Sequence, residues 1–323
     1  MLRKIILLSF LLISFAATAQ DQALLLKQEL ISDWSKYPVY ARLSEEVAGE
    51  RQWKKEYQYL DSIEVYRISY LSDGLKVMGL MAKPKAEGHY PCIIFNRGGN
   101  RNYGALKVYH GALSLGKLAK EGYVVIASQY RGNASGEGQE EFGGADVNDI
   151  TILPQVLAEV EDADTSRIGM YGWSRGGMMT YLALKDCPQI KAAVVGAGNS
   201  DLTINDRPEM ETGVYAELIP NYEENKEAEL KKRSAVYWAD EFPKDVPILL
   251  LHGNADWRVK SSRSLSLALE FEKYRIPYRL HIYEGGDHGL NEFKTEVNNE
   301  VLNWFEKYLK QGVEIPNMEY HGR

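Results

Sequence analysis

The sequence predicts an α/β protein whose sheet is mostly parallel, with about eight strands and with helices on both faces. Short, continuous apolar runs alternate with longer segments of helical periodicity, which is the pattern of strands buried between two helical layers. An Asp-Gly turn joins two earlier strand-like segments into a hairpin, so the sheet begins antiparallel. The chain has 323 residues, of which 45% are hydrophobic and 26% are charged. These values suit one globular domain with an extension.

The predicted elements follow one another in a regular order. The Ser-Asp-Gly sequence at 72–74 links a strand that begins near Ile63 to a second strand at 75–82. The later strand-like runs are 92–95, 123–128, 168–171, 192–195, 248–251 and 278–283. The helical segments are 106–120, 147–161, 175–185, 262–274 and 297–309. An antiparallel start followed by parallel βα units is the layout of an α/β-hydrolase.

The first 19 residues have the pattern of a secretory signal peptide. Arg3 and Lys4 precede an apolar run at 5–15, and Ala-Thr-Ala at 17–19 ends the segment. A basic start, a short apolar core and a small-x-small end are typical of a cleaved signal. The alternative is a membrane anchor, but the run is shorter than the about 20 residues that a membrane span needs. We expect cleavage near Ala19, export to the periplasm or the medium, and no stable membrane insertion afterwards.

Two further segments lie outside the regular alternation. Residues 20–62 are charged and aromatic, and we predict an N-terminal arm that packs on a catalytic domain at 63–323. Within the arm, the spacing of apolar residues from Leu24 to Trp34 predicts a short amphipathic helix. Residues 201–245 are acidic and rich in tyrosine. An excursion of this length is either a lid over a site or a solvated insertion.

Charge and cysteine content exclude several classes of function. The formal net charge is -7, and removal of Arg3 and Lys4 with the signal would make it -9. Without a basic block, nucleic acid is not an expected partner. The sequence has two cysteines, no HExxH motif and no His/Cys cluster, so we predict neither a metal site nor a cofactor. Cys92 and Cys187 are predicted to be buried free thiols.

Ser174 is the candidate nucleophile. It lies in the motif Gly-Trp-Ser-Arg-Gly-Gly at 172–177, between the predicted strand 168–171 and a predicted helix. A serine on a sharp strand-to-helix turn needs small residues two positions before and after it. The helix N-terminus beneath the serine also offers backbone N–H groups to a developing oxyanion. The alternative interpretation is a glycine-rich turn that serves packing alone.

Asp256 and His288 are the candidate partners of the serine. A serine hydroxyl needs an adjacent base, and that base needs an orienting acid. Each candidate lies in a loop directly after a predicted strand, and the chain order Ser, Asp, His is that of α/β-hydrolases. Because these loops leave the same edge of a parallel sheet as Ser174, the three side chains are expected to converge.

Three other residues near these loops are alternatives for the same roles. His252 is the alternative base, but the glycine that follows it indicates a turn that shapes the Asp256 loop. Asn254 is the second candidate for orienting the base. Asp287 adjoins His288, so its side chain is expected to point away from the imidazole.

The oxyanion hole is expected to use two backbone N–H groups. One belongs to Arg175, the residue after the nucleophile. The other is expected from the loop Asn-Arg-Gly-Gly-Asn-Arg at 96–101, which follows the strand 92–95. Glycine lets the backbone approach a substrate closely, so Gly99, or Gly98, is the candidate. The alternative is a turn with no role in binding.

Taken together, these motifs resemble the prolyl oligopeptidase family of serine hydrolases. The resemblance rests on the motif at 172–177, on His-Gly-x-x-Asp at 252–256, on Asp-His-Gly at 287–289 and on Tyr-Arg-Gly at 130–132. It covers about residues 63–310. It implies a peptidase for short peptides or a related esterase, without a cofactor. It also implies that Ser174 is the nucleophile, that His288 is the base and then the acid, and that Asp256 orients it.

Two departures from the family pattern bear on the substrate. Arg97 stands where prolyl oligopeptidases and dipeptidyl peptidases place an oxyanion-hole tyrosine, and the chain has no room for their propeller. No acidic pair is evident that would hold a substrate amino terminus. We predict a serine peptidase acting on short peptides or small molecules; the alternatives are a carboxylesterase for acyl or carbohydrate esters and a non-catalytic binding protein. The candidate substrate contacts are Arg97, Tyr130, Trp173, Tyr215, Tyr222 and Trp238.

Overall fold

A computed structural model describes residues 23–322, and the predicted signal segment lies outside this range. Nine strands form one sheet in the order β1-β4-β5-β7-β6-β8-β9-β10-β11, and β2 and β3 form a separate hairpin. The strand bounds are β1 Leu25–Leu30, β2 Ser44–Val47, β3 Glu50–Trp53, β4 Ile63–Ser72, β5 Leu75–Pro84, β6 Tyr90–Asn96, β7 Val124–Ser128, β8 Ala163–Trp173, β9 Ile190–Gly196, β10 Ile248–Gly253 and β11 Tyr278–Tyr283.

The large sheet is mostly parallel, as predicted. Neighbouring strands from β7 through β6, β8, β9 and β10 to β11 all pair in parallel. The strands β1, β4 and β5 form an antiparallel edge. The predicted hairpin is β4–β5, and its turn residues Asp73 and Gly74 have φ of 51° and 76°. Two positive φ angles are the geometry of the tight hairpin turn that Asp-Gly favours.

The segment that begins at Leu24 corrects one prediction. Residues 25–30 form the edge strand β1, paired antiparallel with β4, and not an amphipathic helix. A short segment gains little from helix formation in water, whereas the open edge of β4 offers partners for its backbone groups. The N–H groups of Leu24 and Leu25 donate to the carboxylate of Glu159 over 2.7 and 2.8 Å. This strand makes the sheet one strand wider than predicted.

Helices cover both faces of the sheet. The α-helices are α1 Pro38–Leu43, α2 Val108–His110, α3 Gly116–Ala119, α4 Asn148–Thr151, α5 Leu153–Leu157, α6 Arg175–Leu184, α7 Pro208–Met210, α8 Ala216–Leu218, α9 Tyr222–Lys232, α10 Ser262–Tyr274 and α11 Lys294–Phe305. Single π-helical turns join α2 to α3 and α7 to α8, and another extends α11. Over residues 23–322, none of these helices is both long enough and apolar enough to span a membrane.

Alternate residues of the central strands pack into two separate hydrophobic cores. Ile94 and Leu250 pack in the first core with α5, α6 and α10, whereas Ile93 and Leu249 pack in the second with α3 and α11. Successive side chains of a strand point to opposite faces, so the two cores lie on opposite sides of the sheet. Strands buried on both faces hold the loops at their carboxyl ends in fixed positions, and the candidate site is built there.

Candidate active site

Ser174 lies on a sharp turn between β8 and α6. Its φ of 58° and ψ of -124° are unusual for a residue other than glycine. A Cβ atom on Gly172 would lie 2.1 Å from the carbonyl oxygen of Gly176, and one on Gly176 would lie 2.0 Å from that of Asn96. The glycines of the motif are therefore required sterically, and the turn lifts the serine hydroxyl above the sheet.

Three predicted residues meet at the carboxyl ends of their strands. The hydroxyl of Ser174 donates to Nε2 of His288 over 2.9 Å. Nδ1 of His288 donates to Oδ2 of Asp256 over 2.7 Å. Because the carboxylate accepts a hydrogen bond from Nδ1–H, the proton of the neutral ring stays on Nδ1 and Nε2 is left as an acceptor for the serine hydroxyl.

Asp256 is held by several donors. Its Oδ1 accepts the backbone N–H groups of Arg258 and Val259 over 2.8 and 3.0 Å. Its side chain is fully buried, and Nε2 of His252 lies 3.3 Å from Oδ2. Burial alone would raise the pKa of Asp256, but hydrogen bonds from His252, His288 and the Val259 N–H hold that pKa well below its usual range. The carboxylate is therefore ionised at neutral pH.

The alternative residues have other partners. Nε2 of His252 also donates to the carbonyl of Val259 over 2.8 Å, so Nδ1 accepts from the hydroxyl of Ser264 over 2.7 Å. His252 thus packs against the acid, whereas His288 is the histidine that contacts Ser174. The Asp287 carboxylate accepts the N–H of Gly289 over 2.8 Å. The Asn254 side chain accepts the N–H of Gly285 over 2.7 Å, so both of these residues shape the turn after β11.

The two predicted oxyanion donors line the same cavity as Ser174. Among the residues that the structure describes, neither the N–H of Arg175 nor that of Gly99 has a hydrogen-bond acceptor. Both residues border the cavity, and Gly98 does not, which favours Gly99 over Gly98 as the second donor. Gly99 has a φ of +71°, and a Cβ there would lie 2.2 Å from the carbonyl oxygen of Tyr103. Only glycine fits this tight loop without a shift.

The side chain of Arg175 belongs to a buried ion network that sequence reasoning missed. It donates to Glu140 over 2.7 Å, to Asp146 over 2.6 Å and to the carbonyl of Gly99 over 3.0 Å. Its guanidinium also lies over the rings of Tyr130 and Phe142. Burial alone would raise the pKa of Glu140, but the charge of Arg175 helps to hold it below its usual value. A buried arginine requires carboxylate partners, but Glu140 and Asp146 lie 35 and 29 residues before Arg175, so no local motif indicated the network.

Three predicted substrate contacts instead support the site from behind. Arg97 is 2% exposed and donates to the carbonyl of Gln129 over 3.0 Å. The hydroxyl of Tyr130, also fully buried, donates to the carbonyl of Arg97 over 2.9 Å. Nε1 of Trp173 donates to the carbonyl of His288 over 2.8 Å. None of these three residues borders the cavity. Although Arg97 occupies the sequence position of the oxyanion-hole tyrosine, its side chain therefore does not reach the cavity as that hydroxyl would.

The cavity beside Ser174 has a volume of about 320 Å³. Residues from the 201–245 segment form one of its walls. The apolar side chains that line the cavity include Phe142, Met178, Leu202, Met210 and Tyr215. Of the predicted aromatic contacts, Tyr215 is thus in place. Tyr222 packs behind Tyr215, and Trp238 stacks on Phe242; both are buried in the core and do not line the cavity.

A hydrogen-bonded Ser–His–Asp set at the carboxyl ends of parallel strands, beside two N–H groups that have no acceptor among the described residues, is the arrangement typical of serine hydrolases with the α/β-hydrolase fold. Residues 112–312 match the prolyl oligopeptidase family of peptidases. The match covers more than half of the chain and includes all three residues of the set. The chain therefore belongs to the prolyl oligopeptidase family, and the predicted family and fold class are confirmed.

Similar proteins differ in how much of their length this chain spans. An uncharacterized peptidase of Bacillus subtilis (strain 168), YtmA, is 29% identical over 251 residues, which cover 77% of this chain and 94% of that protein. Dipeptidyl peptidase 8 of Mus musculus is 28% identical over 235 residues, which cover 67% of this chain and 25% of that protein. The match thus spans almost the whole length of the short relative and a quarter of the length of the long one.

Solved structures of peptidases share the fold. An acylaminoacyl peptidase of Pyrococcus horikoshii superimposes with a TM-score of 0.66 at 26% identity, covering 83% of this chain and 46% of that one. A puromycin-hydrolyzing peptidase of Mycobacterium tuberculosis gives a TM-score of 0.62 at 24% identity, covering 84% and 44%. Both matches correspond to less than half of the longer chains.

Proposed function

We propose that this protein is a serine peptidase that cleaves an amide bond of a short peptide through an acyl-enzyme. The observation that carries the proposal is the hydrogen-bonded chain from Ser174 through His288 to Asp256. Membership of a peptidase family supports the amide bond as the target. The chain retains all the groups that the reaction needs, which argues against a non-catalytic binding protein.

In the first half of the reaction, Oγ of Ser174 attacks the carbonyl carbon while Nε2 of His288 takes the hydroxyl proton. The carbonyl π electrons move to oxygen, and the N–H groups of Arg175 and Gly99 stabilise the resulting oxyanion. Asp256 stabilises the imidazolium through Nδ1. As the tetrahedral intermediate collapses, the C–N bond breaks and His288 gives its proton to the leaving amine.

In the second half, a water molecule attacks the acyl-enzyme. His288 takes a proton from the water as a hydroxide equivalent adds to the ester carbon, and the same two N–H groups hold the second oxyanion. When the C–O bond to Ser174 breaks, His288 returns the proton to Oγ. The products are a carboxylic acid and the free enzyme, so each side chain ends in its starting protonation state.

Carboxylesterase activity on acyl or carbohydrate esters is the second candidate. One observation favours it: Asp206 is the only carboxylate among the described residues that line the cavity, and it pairs with Arg263 and Lys260. Within the described lining, no unpaired carboxylate is therefore left to hold the charged amino terminus of a peptide. The same nucleophile and oxyanion hole hydrolyse esters, whose alkoxide leaves more readily than an amine.

A substrate panel separates these candidates. Peptidyl p-nitroanilides with prolyl and other residues at the cleaved bond are assayed beside p-nitrophenyl acyl esters, with Ser174→Ala as the control. The proposal predicts Ser174-dependent cleavage of at least one anilide, with kcat/KM in the range of ordinary enzymes, about 10⁴ M⁻¹s⁻¹ or more. Cleavage of esters alone would replace the peptidase by the carboxylesterase. Cleavage of neither class would overturn the proposal.

Export is proposed as well, from the signal-like pattern at 1–19. The test is the N-terminus of the protein recovered from expressing bacteria, with and without release of the periplasm. The proposal predicts a chain that begins just after Ala19 in the periplasmic or secreted fraction. An uncleaved chain that sediments with the membranes would support the anchor instead.

A further inference from the structure

The strand β1 forms an open edge of the large sheet. It ends the strand order, and β4 is its one neighbour among the described residues. Residues 26–30 are all exposed. The open stretch begins after Leu25, because the N–H of Leu25 already donates to Glu159 over 2.8 Å. The backbone groups of such an edge are a template for pairing with another strand.

The backbone groups of Gln28, at the centre of this stretch, point away from the sheet. Ile31 donates its N–H to the carbonyl of Val65 on β4 over 2.8 Å, and Glu29 lies in the same register against β4. In an antiparallel pair, residues bonded to the neighbouring strand alternate with residues whose N–H and C=O point the other way. Gln28 precedes Glu29 in this alternation and therefore directs its N–H and C=O outwards.

The sequence of the open stretch is complementary to itself about Gln28. It reads Leu-Lys-Gln-Glu-Leu at 26–30, so opposite charges flank the glutamine and leucines flank the charges. Leu26 and Leu30 are 42% and 44% exposed, and Leu26 lies at a shift in the register with β4. A second copy of the chain, antiparallel and related by a two-fold axis at Gln28, would place Glu29 of the partner subunit opposite Lys27. The same axis would place Leu30 of the partner subunit opposite Leu26.

This register suits the backbone as well as the side chains. At the axis, the two Gln28 residues exchange a pair of N–H···O bonds, because the backbone groups of both point outwards. Lys27 and Glu29 then form the pairs without backbone bonds, whose Cα atoms lie about 4.5 Å apart and whose side chains are closest. Opposite charges on facing residues stabilise a strand pair. A lysine on an edge strand otherwise discourages pairing, but here each lysine meets a glutamate.

We propose that two copies of this chain dimerise through β1, whose strands pair antiparallel about Gln28 and join the two large sheets into one. The assembly stops at two copies, because β4 occupies the other side of β1. The inference is independent of the proposed hydrolase function. A pair of short strands is a small interface, so we expect a dissociation constant of about 10 µM.

Charge reversals test the facing side chains. Lys27→Glu leaves only glutamates in the two charged pairs of the dimer, and Glu29→Lys leaves only lysines. In sedimentation velocity, each variant alone should raise the dissociation constant about tenfold or more. An equimolar mixture of the two variants should form a heterodimer with the parent dissociation constant, because the opposite charges then face each other again. The matched controls are Lys231→Glu and Glu227→Lys, in an exposed ion pair on α9, and both should stay within about twofold of the parent value.

Gln28→Pro tests the backbone bonds at the axis. Proline has no N–H, and the N–H that it removes here points away from β4, so the subunit should keep its fold. The dissociation constant should rise about tenfold or more. Gln28→Ala keeps the N–H and should stay within about threefold of the parent value. Melting temperatures of all variants, measured well below the dissociation constant, check that each subunit is folded.

Three results would overturn the proposal. The first is a parent protein that stays monomeric up to about 200 µM, well above the expected dissociation constant. The second is a dimer that neither the charge reversals nor Gln28→Pro weakens, because another surface would then hold the two copies together. The third is a mixture of Lys27→Glu and Glu29→Lys that stays as monomeric as each variant alone, because the two residues would then not face each other.

Discussion

The guanidinium of Arg175 donates a hydrogen bond to the carbonyl of Gly99 over 3.0 Å. Both residues line the cavity beside Ser174, and the N–H of neither has an acceptor among the described residues. One side chain therefore ties together both halves of the candidate oxyanion hole. Glu140 strengthens the tie, because it also accepts the N–H of Arg101 in the same loop over 3.1 Å. The geometry of the hole therefore depends on a buried ion network as well as on the two backbone groups.

Replacing Arg175 by lysine should impair turnover more than binding. Lysine keeps a positive charge beside Glu140 and Asp146 but cannot reach both carboxylates and the Gly99 carbonyl as a planar fork does. Because full loss of one oxyanion donor costs about 10²–10³ in kcat, a displaced donor should cost about 10- to 100-fold. Steady-state kinetics should show KM within a few-fold of the parent value.

Arg131→Lys is the matched control for this variant. Arg131 is also a buried arginine, paired with Asp149 and Asp73, and among the described residues its side chain donates to Asp149, Ser72 and Asp73 and not to the 97–101 loop. We expect a lower melting temperature, because breaking a buried ion pair destabilises the fold. We expect kcat to stay within about twofold of the parent value, because the oxyanion contacts are not changed. If Arg175→Lys behaved like Arg131→Lys, Arg175 would have a structural role only.

Replacing Gly99 by alanine should distort the oxyanion loop. The new Cβ would lie 2.2 Å from the Tyr103 carbonyl oxygen at a φ of +71°, so the loop must move. We expect kcat to fall about 10²-fold or more. Gly74→Ala is the control, because it has a φ of +76° with no atom within 4 Å of the new Cβ. That variant carries the same backbone strain in the β4–β5 turn and should keep its kcat, and a loss equal to that of Gly99→Ala would contradict the assignment.

Asp256→Asn should reduce kcat by about 10⁴-fold, because an amide can favour the wrong tautomer of the histidine, as in other serine hydrolases. Asp287→Asn, one residue from His288, should stay within a few-fold of the parent, since Asp287 accepts from Gly289 and not from the imidazole. The measurement is kcat of both variants and of the parent protein under identical conditions. Equal losses would show that the Asp256–His288 contact is not what orients the base.

The two free cysteines, Cys92 and Cys187, should be inert in the folded protein. Burial raises the pKa of both thiols to about 12, so they stay protonated at pH 8. Unfolded thiols ionise near pH 8.5, so these groups favour the folded state below that pH and destabilise it progressively as the pH rises further. An Ellman assay at pH 8 should detect no fast-reacting thiol until denaturant is added. Rapid reaction of the native protein would contradict their burial.

The fold class and the family were predictable from local motifs in the sequence, and so was the meeting of the three candidate side chains. Ser174, His288 and Asp256 each follow an apolar strand, and parallel strands bring their carboxyl ends together. The Arg175 network was not predictable in the same way, because Glu140 lies in a loop and Asp146 in a three-residue 3₁₀ helix, Ala145–Val147, and neither directly follows an apolar strand. Tyrosine and tryptophan content did not show which aromatic side chains face the cavity, so Tyr222 and Trp238 were misplaced. Residues 25–30 form a strand because their partner, β4, is distant in sequence.

The most direct test of the account is labelling with a fluorophosphonate, followed by peptide mass spectrometry. We expect one phosphonyl group on Ser174 in the parent protein, with hydrolysis lost in step with labelling. Ser174→Ala should bind no label and should lose about 10⁴-fold or more in kcat. A label on another residue, or a Ser174→Ala protein that hydrolyses substrate at the parent rate, would contradict the central claim.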